Sequence, residues 1–81
     1  MRITLKPVRI ETGSPDEDGR LVFADDRLVA VLVRLSDQHE EAGKWFLEAA
    51  FGRAESGDHP VFADLEDASG WLAGRLDPVT G

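Results

Sequence analysis

The chain has 81 residues, room for a single domain with one modest core. It contains no cysteine, which excludes disulfides, thiolate zinc sites and cysteine nucleophiles together and fits a reducing cytoplasm. Its formal net charge is −7 and unevenly placed: residues 1–36 carry six basic and six acidic side chains, residues 37–81 three and ten.

An acidic chain without a basic cluster is a poor partner for nucleic acid or an anionic membrane surface, because both are gripped by lysine and arginine. The opening "MRITLKPVRIE" alternates charged and apolar residues and lacks the apolar centre of a secretory signal. The longest apolar run, 28–33, is far short of the roughly 20 residues a membrane helix needs. The expectation is a cytoplasmic protein with neither membrane nor nucleic-acid partners, its acidity serving solubility.

The segment "RITLKPVRIE" predicts a first strand. Ile3 and Leu5 share one face and Val8 and Ile10 fall on the other, with the switch around Lys6 and Pro7. Proline cannot donate to a ladder, so this is an edge strand, a bulge, or both. "TGSPDEDG", 12–19, is built of turn residues and reads as a solvated loop.

"GRLVFADDRLVAVLVRLSD", 19–37, predicts a hairpin turning at Asp25-Asp26. With a two-residue turn and no irregularity, Phe23 lies opposite Leu28, Val22 opposite Val29 and Leu21 opposite Ala30. One face then holds Val22, Val29, Val31, Val33 and Leu35. The other holds Leu21, Phe23, Leu28, Ala30 and Leu32. A sheet with one wet face alternates apolar and polar residues; this hairpin is apolar on both faces until Arg34 and Ser36.

Segment 37–51 admits two readings. As a helix, Ala42, Trp45, Phe46, Ala49 and Ala50 follow the i, i+3, i+4, i+7, i+8 pattern, with Ser36 or Asp37 as cap. As a loop and strand, Trp45, Leu47, Ala49 and Phe51 share a face. Gly43 and Gly52 bound that strand, whereas Gly43 inside a helix costs about 1 kcal/mol. The strand reading is favoured, with 44–51 paired to 28–35. "RAESGDHP" is a loop. "DLEDASGWLAGRLDP" predicts a helix capped by Asp64 and stopped near Asp77-Pro78, with Leu65, Ala68, Ser69, Leu72 and Leu76 in one stripe and Trp71 on its flank. Gly70 and Gly74 weaken it, so it depends on its packing partner.

The consistent assembly is α+β: an antiparallel meander of about four strands with one C-terminal helix packed on one face. In "GRLVFADDRLVAVLVRLSD", "WFLEAAFG" and "FADLEDASGWLAGRL" the chain resembles small uncharacterised bacterial domains of this meander-plus-helix type. The resemblance covers over half of the chain and implies no activity.

No constellation for chemistry stands out. His39 and His59 are the two histidines, each in a loop; His39-Glu40-Glu41 lacks the second histidine, four residues on, of a zinc-protease helix. Asp16, Glu17 and Asp18 lack the spaced ligands and terminal glutamate of a calcium loop. Ser14, Ser36, Ser56 and Ser69 occupy no nucleophile elbow, and the glycines form no phosphate loop. Trp45 and Trp71 lie on or beside apolar stripes and read as core. No metal, cofactor or catalytic residue is expected.

A single helix covers one face of the sheet and leaves the other apolar. This points to a non-catalytic module that forms a homodimer or binds another protein through the open face. The expected interface is Leu21, Phe23, Leu28, Ala30 and Leu32, with Arg34 as its polar rim. The alternative is a small-molecule binder or small enzyme with a site on loops 36–43 and 52–60.

The charge distribution carries its own test. In a mobility-shift assay at about 150 mM salt, DNA and RNA are expected to remain unbound up to micromolar protein. Submicromolar binding that weakens with salt would contradict this.

Overall fold

The structure, a computed structural model, describes residues 2–13, 16–36 and 40–76. Within them the chain forms β1 (Ile3–Arg9), β2 (Asp18–Ala24), β3 (Arg27–Arg34), β4 (Trp45–Ala50), a 3-10 turn (Gly52–Ala54), β5 (Val61–Phe62) and α1 (Leu65–Leu76). The strands make one antiparallel sheet in the order β1-β2-β3-β4-β5, so the chain is α+β with a single C-terminal helix. The sheet has five strands rather than about four. The addition is the two-residue β5, which pairs Phe62 with Trp45 and Val61 with Phe46. Segment 45–50 is strand, paired to β3.

β1 is an edge strand, so Pro7 occupies the ladder opposite Arg20 without interrupting it. Pairing is regular from Ile3↔Ala24 to Arg9↔Asp18, so the apolar residues switch from the Leu5 face to the Val8 face across Lys6-Pro7 without a bulge. Asp25 takes the left-handed backbone of the β2–β3 turn, φ 58°, a conformation aspartate tolerates better than most residues. Its Oδ1 accepts the Arg2 N–H at 3.0 Å, and its own N–H donates to Arg2 O at 2.8 Å. The turn thereby anchors the start of β1.

Two irregularities decide which residues face the core. β2 and β3 begin in the expected register, Ala24↔Arg27 and Phe23↔Leu28. Then Val22 pairs with Ala30, leaving Val29 as an extra residue on β3. Beyond this bulge Leu21 faces Val31 and Arg20 faces Leu32. A one-residue slip exchanges the faces of every later side chain. A second bulge lies on β4: Val31 pairs with Ala49 but Leu32 with Leu47, so Glu48 is the extra residue.

The helix covers the face carrying Leu5, Val22, Ala30, Leu32, Leu47 and Trp45. Leu32, Leu47, Val22 and Leu72 of α1 are the largest fully buried side chains, joined in one cluster with Trp45, Phe62, Ala54 and Ala68. Trp71 packs on Phe62 with ring centroids 5.5 Å apart. The Arg20 guanidinium lies 4.9 Å from the centre of the Trp45 ring and closes the core at that end. Both tryptophans therefore join the helix–sheet core.

α1 starts as its sequence implies. The Asp67 N–H donates to Asp64 Oδ1 at 2.8 Å, the N-cap bond, and Asp67 Oδ2 accepts the Ala63 N–H at 3.4 Å in return. Glu66 and Asp67 place carboxylates in the first turn, where the helix dipole favours them. The expected stop at Asp77-Pro78 lies outside the described residues.

Leu32 and Val31, adjacent on β3, have opposite fates. Leu32→Ala is expected to cost about 2–5 kcal/mol through the cavity it leaves. Val31→Ala, on the uncovered face, is expected to cost clearly less. Urea denaturation of the two variants measures the difference.

Candidate functional site

The uncovered face is the largest feature that the fold leaves unexplained. The register places its residues in three rows. Thr4, Phe23 and Leu28 form the first. Lys6, Leu21, Val31 and Ala49 form the second. Val8, Gly19, Val33, Phe46 and Val61 form the third. Leu28 and Val61 are each 38% exposed, while Leu21, Phe23, Val31, Phe46 and Ala49 are half-buried. No described helix lies over them. Lys6 is the one charged side chain in these rows, on the β1 edge, and Glu48 stands exposed at the β4 bulge on the opposite edge.

The expected interface residues are split by the Val29 bulge. Leu21, Phe23 and Leu28 do lie on the open face. Ala30 and Leu32 are fully buried beneath the helix. Arg34 is exposed opposite Trp45, on the helix side. Their places are taken by Val31, Phe46, Ala49 and Val61. A continuous apolar run from 28 to 33 carries no period-2 signal, so nothing in it reveals where one extra residue is inserted.

One corner of the open face is closed by the chain itself. Val33 is only 2% exposed although it lies outside the helix-covered cluster. After β1 the chain turns back, with the Ile10 N–H donating to Glu17 O at 2.8 Å. Ile10 comes to rest on Gly19, the neighbour of Val33 in the sheet. The loop is tied to β3 by the Ser36 N–H, which donates to Asp16 Oδ1 at 2.7 Å. Asp16 thus has a structural role, and Ile10 covers the Val33 end while Phe23, Leu21 and Val31 stay open.

Residues 37–39 of the alternative loop site lie outside the described residues. A groove of about 690 Å³ lies at the β2–β3 turn, lined by Leu28, Val29, Phe51, Leu76, Arg27 and Arg53, with Asp25 and Asp26 beside them. It uses the start of the second loop and none of the described residues of the first. His59 is exposed; its Nδ1 lies 2.9 Å from Leu47 O and its ring stacks on Phe46 with centroids 6.2 Å apart. A carbonyl only accepts, so Nδ1 carries the proton and donates. His39 and Ser14 lie outside the described residues. Among the described residues no three histidine, aspartate or glutamate side chains are grouped to hold a metal ion, and no helix is long and apolar enough to cross a membrane. Comparison with protein-family models, curated proteins and solved structures gives no match.

The closed corner makes a measurable claim. A Cβ at Gly19 would sit 2.9 Å from Ile10 Cγ1 and 3.0 Å from Leu32 O. Gly19→Ala is expected to destabilise the protein by about 1–3 kcal/mol. Ile10→Ala in the same chain is expected to return part of that loss. Additive losses in thermal denaturation would show that Ile10 does not pack there.

Proposed function

We propose that this protein is a non-catalytic interaction module whose binding surface is the open face of its sheet. The observation that carries the reading is the run of apolar side chains Phe23, Leu21, Val31 and Ala49, over which no described helix lies, bordered by Phe46 beneath the His59 ring. Burying a side chain of this class contributes about 1.5–3 kcal/mol. The partial exposure of several such residues leaves a fraction of that stabilisation for a partner to supply. Contiguous apolar surface of this kind marks association sites in monomeric folds. The face also has the anatomy of an interface: aromatic and aliphatic residues at its centre, with Lys6 and Glu48 at its edges.

Catalysis finds no comparable support. The described histidine is held by a backbone carbonyl and a phenyl ring. The groove at the β2–β3 turn brings Arg27 and Arg53 near Asp25 and Asp26, with no histidine, serine or threonine in its lining.

The test is native size in dilute extract of cells expressing the chain. Wild type is expected to migrate in an assembly larger than one chain, and Val31→Glu to migrate as a folded monomer that keeps its strand and helix circular dichroism. Wild type running at monomer size in the extract would overturn the reading.

A further inference from the structure

We infer that the occupant of the open face is a second copy of this chain, packed sheet to sheet about a two-fold axis parallel to the strands. The inference rests on the reading of the face as an interface, and three observations extend it to self-association. The first is charge. A chain of net charge −7 resists meeting its own copy wherever its acids gather. The three rows of the open face contain no acid. Glu11, Glu17, Glu40 and Glu41 lie in the connections between strands, and Glu66 and Asp67 on the helix.

The second is self-complementarity. Lys6 and Ala49 end the same row at opposite edges, and Glu48 adjoins Ala49. β5 pairs with Trp45 and Phe46, and Pro60 O accepts the Leu47 N–H at 3.1 Å, so the chain flanks β4 as far as Leu47 and Glu48 and Ala49 lie just beyond it. A two-fold axis along the strands lays the β1 edge of one copy over the β4 edge of the other. Lys6 of each copy then approaches Glu48 of its mate, giving two symmetric ion pairs around an apolar centre. A two-fold axis across the strands would instead set Lys6 against Lys6.

The third is size. Five strands about 4.8 Å apart, with six to eight residues of about 3.3 Å in the longer ones, make a face roughly 20 Å square. With the Val33 corner closed by Ile10 the open area is smaller than the ~800 Å² per partner of a standard interface, the size of a weak, concentration-dependent association. Two such faces about 10 Å apart form an aligned sandwich with a helix on each outer side.

Sedimentation equilibrium on the purified protein, from about 1 μM to about 1 mM, tests this directly. The expected result is a monomer–dimer equilibrium. Lys6→Glu and Glu48→Lys are each expected to weaken the dimer roughly three- to tenfold, and the double exchange to restore it. Leu21→Gln and Val31→Glu are expected to give monomers, Leu21→Gln serving should Val31→Glu fail to fold. A wild type that stays monomeric to about 1 mM would overturn the inference. If that same chain still migrates in an assembly in extract, the open face serves a different protein and the interaction reading stands. If it is monomeric in both, the two fail together. A dimer indifferent to all three charge variants would overturn the proposed packing.

Discussion

The contact of Leu72 on the helix with a floor that includes Leu32 and Leu47 is the closure on which the rest of the molecule depends. All three are fully buried in one cluster. A helix of 12 residues is about 18 Å long, so it can cover one face of the sheet and no more. It is a weak helix by composition, with Gly70 and Gly74 inside it. Its cap at Asp64 sets where it begins, and the sheet beneath supplies the burial that keeps it helical.

That closure creates the open face. The sheet is apolar on both sides, and the two bulges decide which set of side chains the helix receives. The Val29 bulge turns Leu32 inward and Val31 outward; the Glu48 bulge keeps Leu47 beneath the helix while Ala49 stays beside Val31. Neither side is polar enough for water by itself. The helix takes the face with Trp45 and Phe62, whose rings pack with Arg20 and Trp71 at its margin. The other face retains the half-buried surface from which an interaction role is read.

The charged residues are consistent with this division. Exposed ion pairs such as Arg9–Glu17 at 2.7 Å and Lys44–Glu41 at 3.4 Å contribute little to stability. Their position matters more: they hold charge in the connections at the sheet end remote from the Asp25 turn. There Asp16 accepts from Ser36 at the end of β3, and Ile10 lies over Gly19 and shields Val33. The rest of the face is left free of acids, the condition that close approach by a second copy requires.

Much of the architecture was legible in the residues themselves. Proline at position 7 announced an edge strand or a bulge, Asp25-Asp26 a turn, and the Gly43 and Gly52 boundaries a strand across 44–51, of which Trp45–Ala50 form β4. Asp64 marked the helix start, and its stripe marked the buried side, with Ala68 and Leu72 at its centre. These are local signals, carried by backbone preferences and side-chain spacing within a few residues. β5 escaped because two residues make no pattern. The composition of the open face escaped for a different reason. When both faces of a hairpin are apolar, alternation carries no information about register, and one inserted residue exchanges every side chain beyond it. Sequence alone determined that a second apolar face must exist. Only the tertiary structure, through the Val29 and Glu48 bulges, decided that Leu32 belongs to the core and Val31 to the surface.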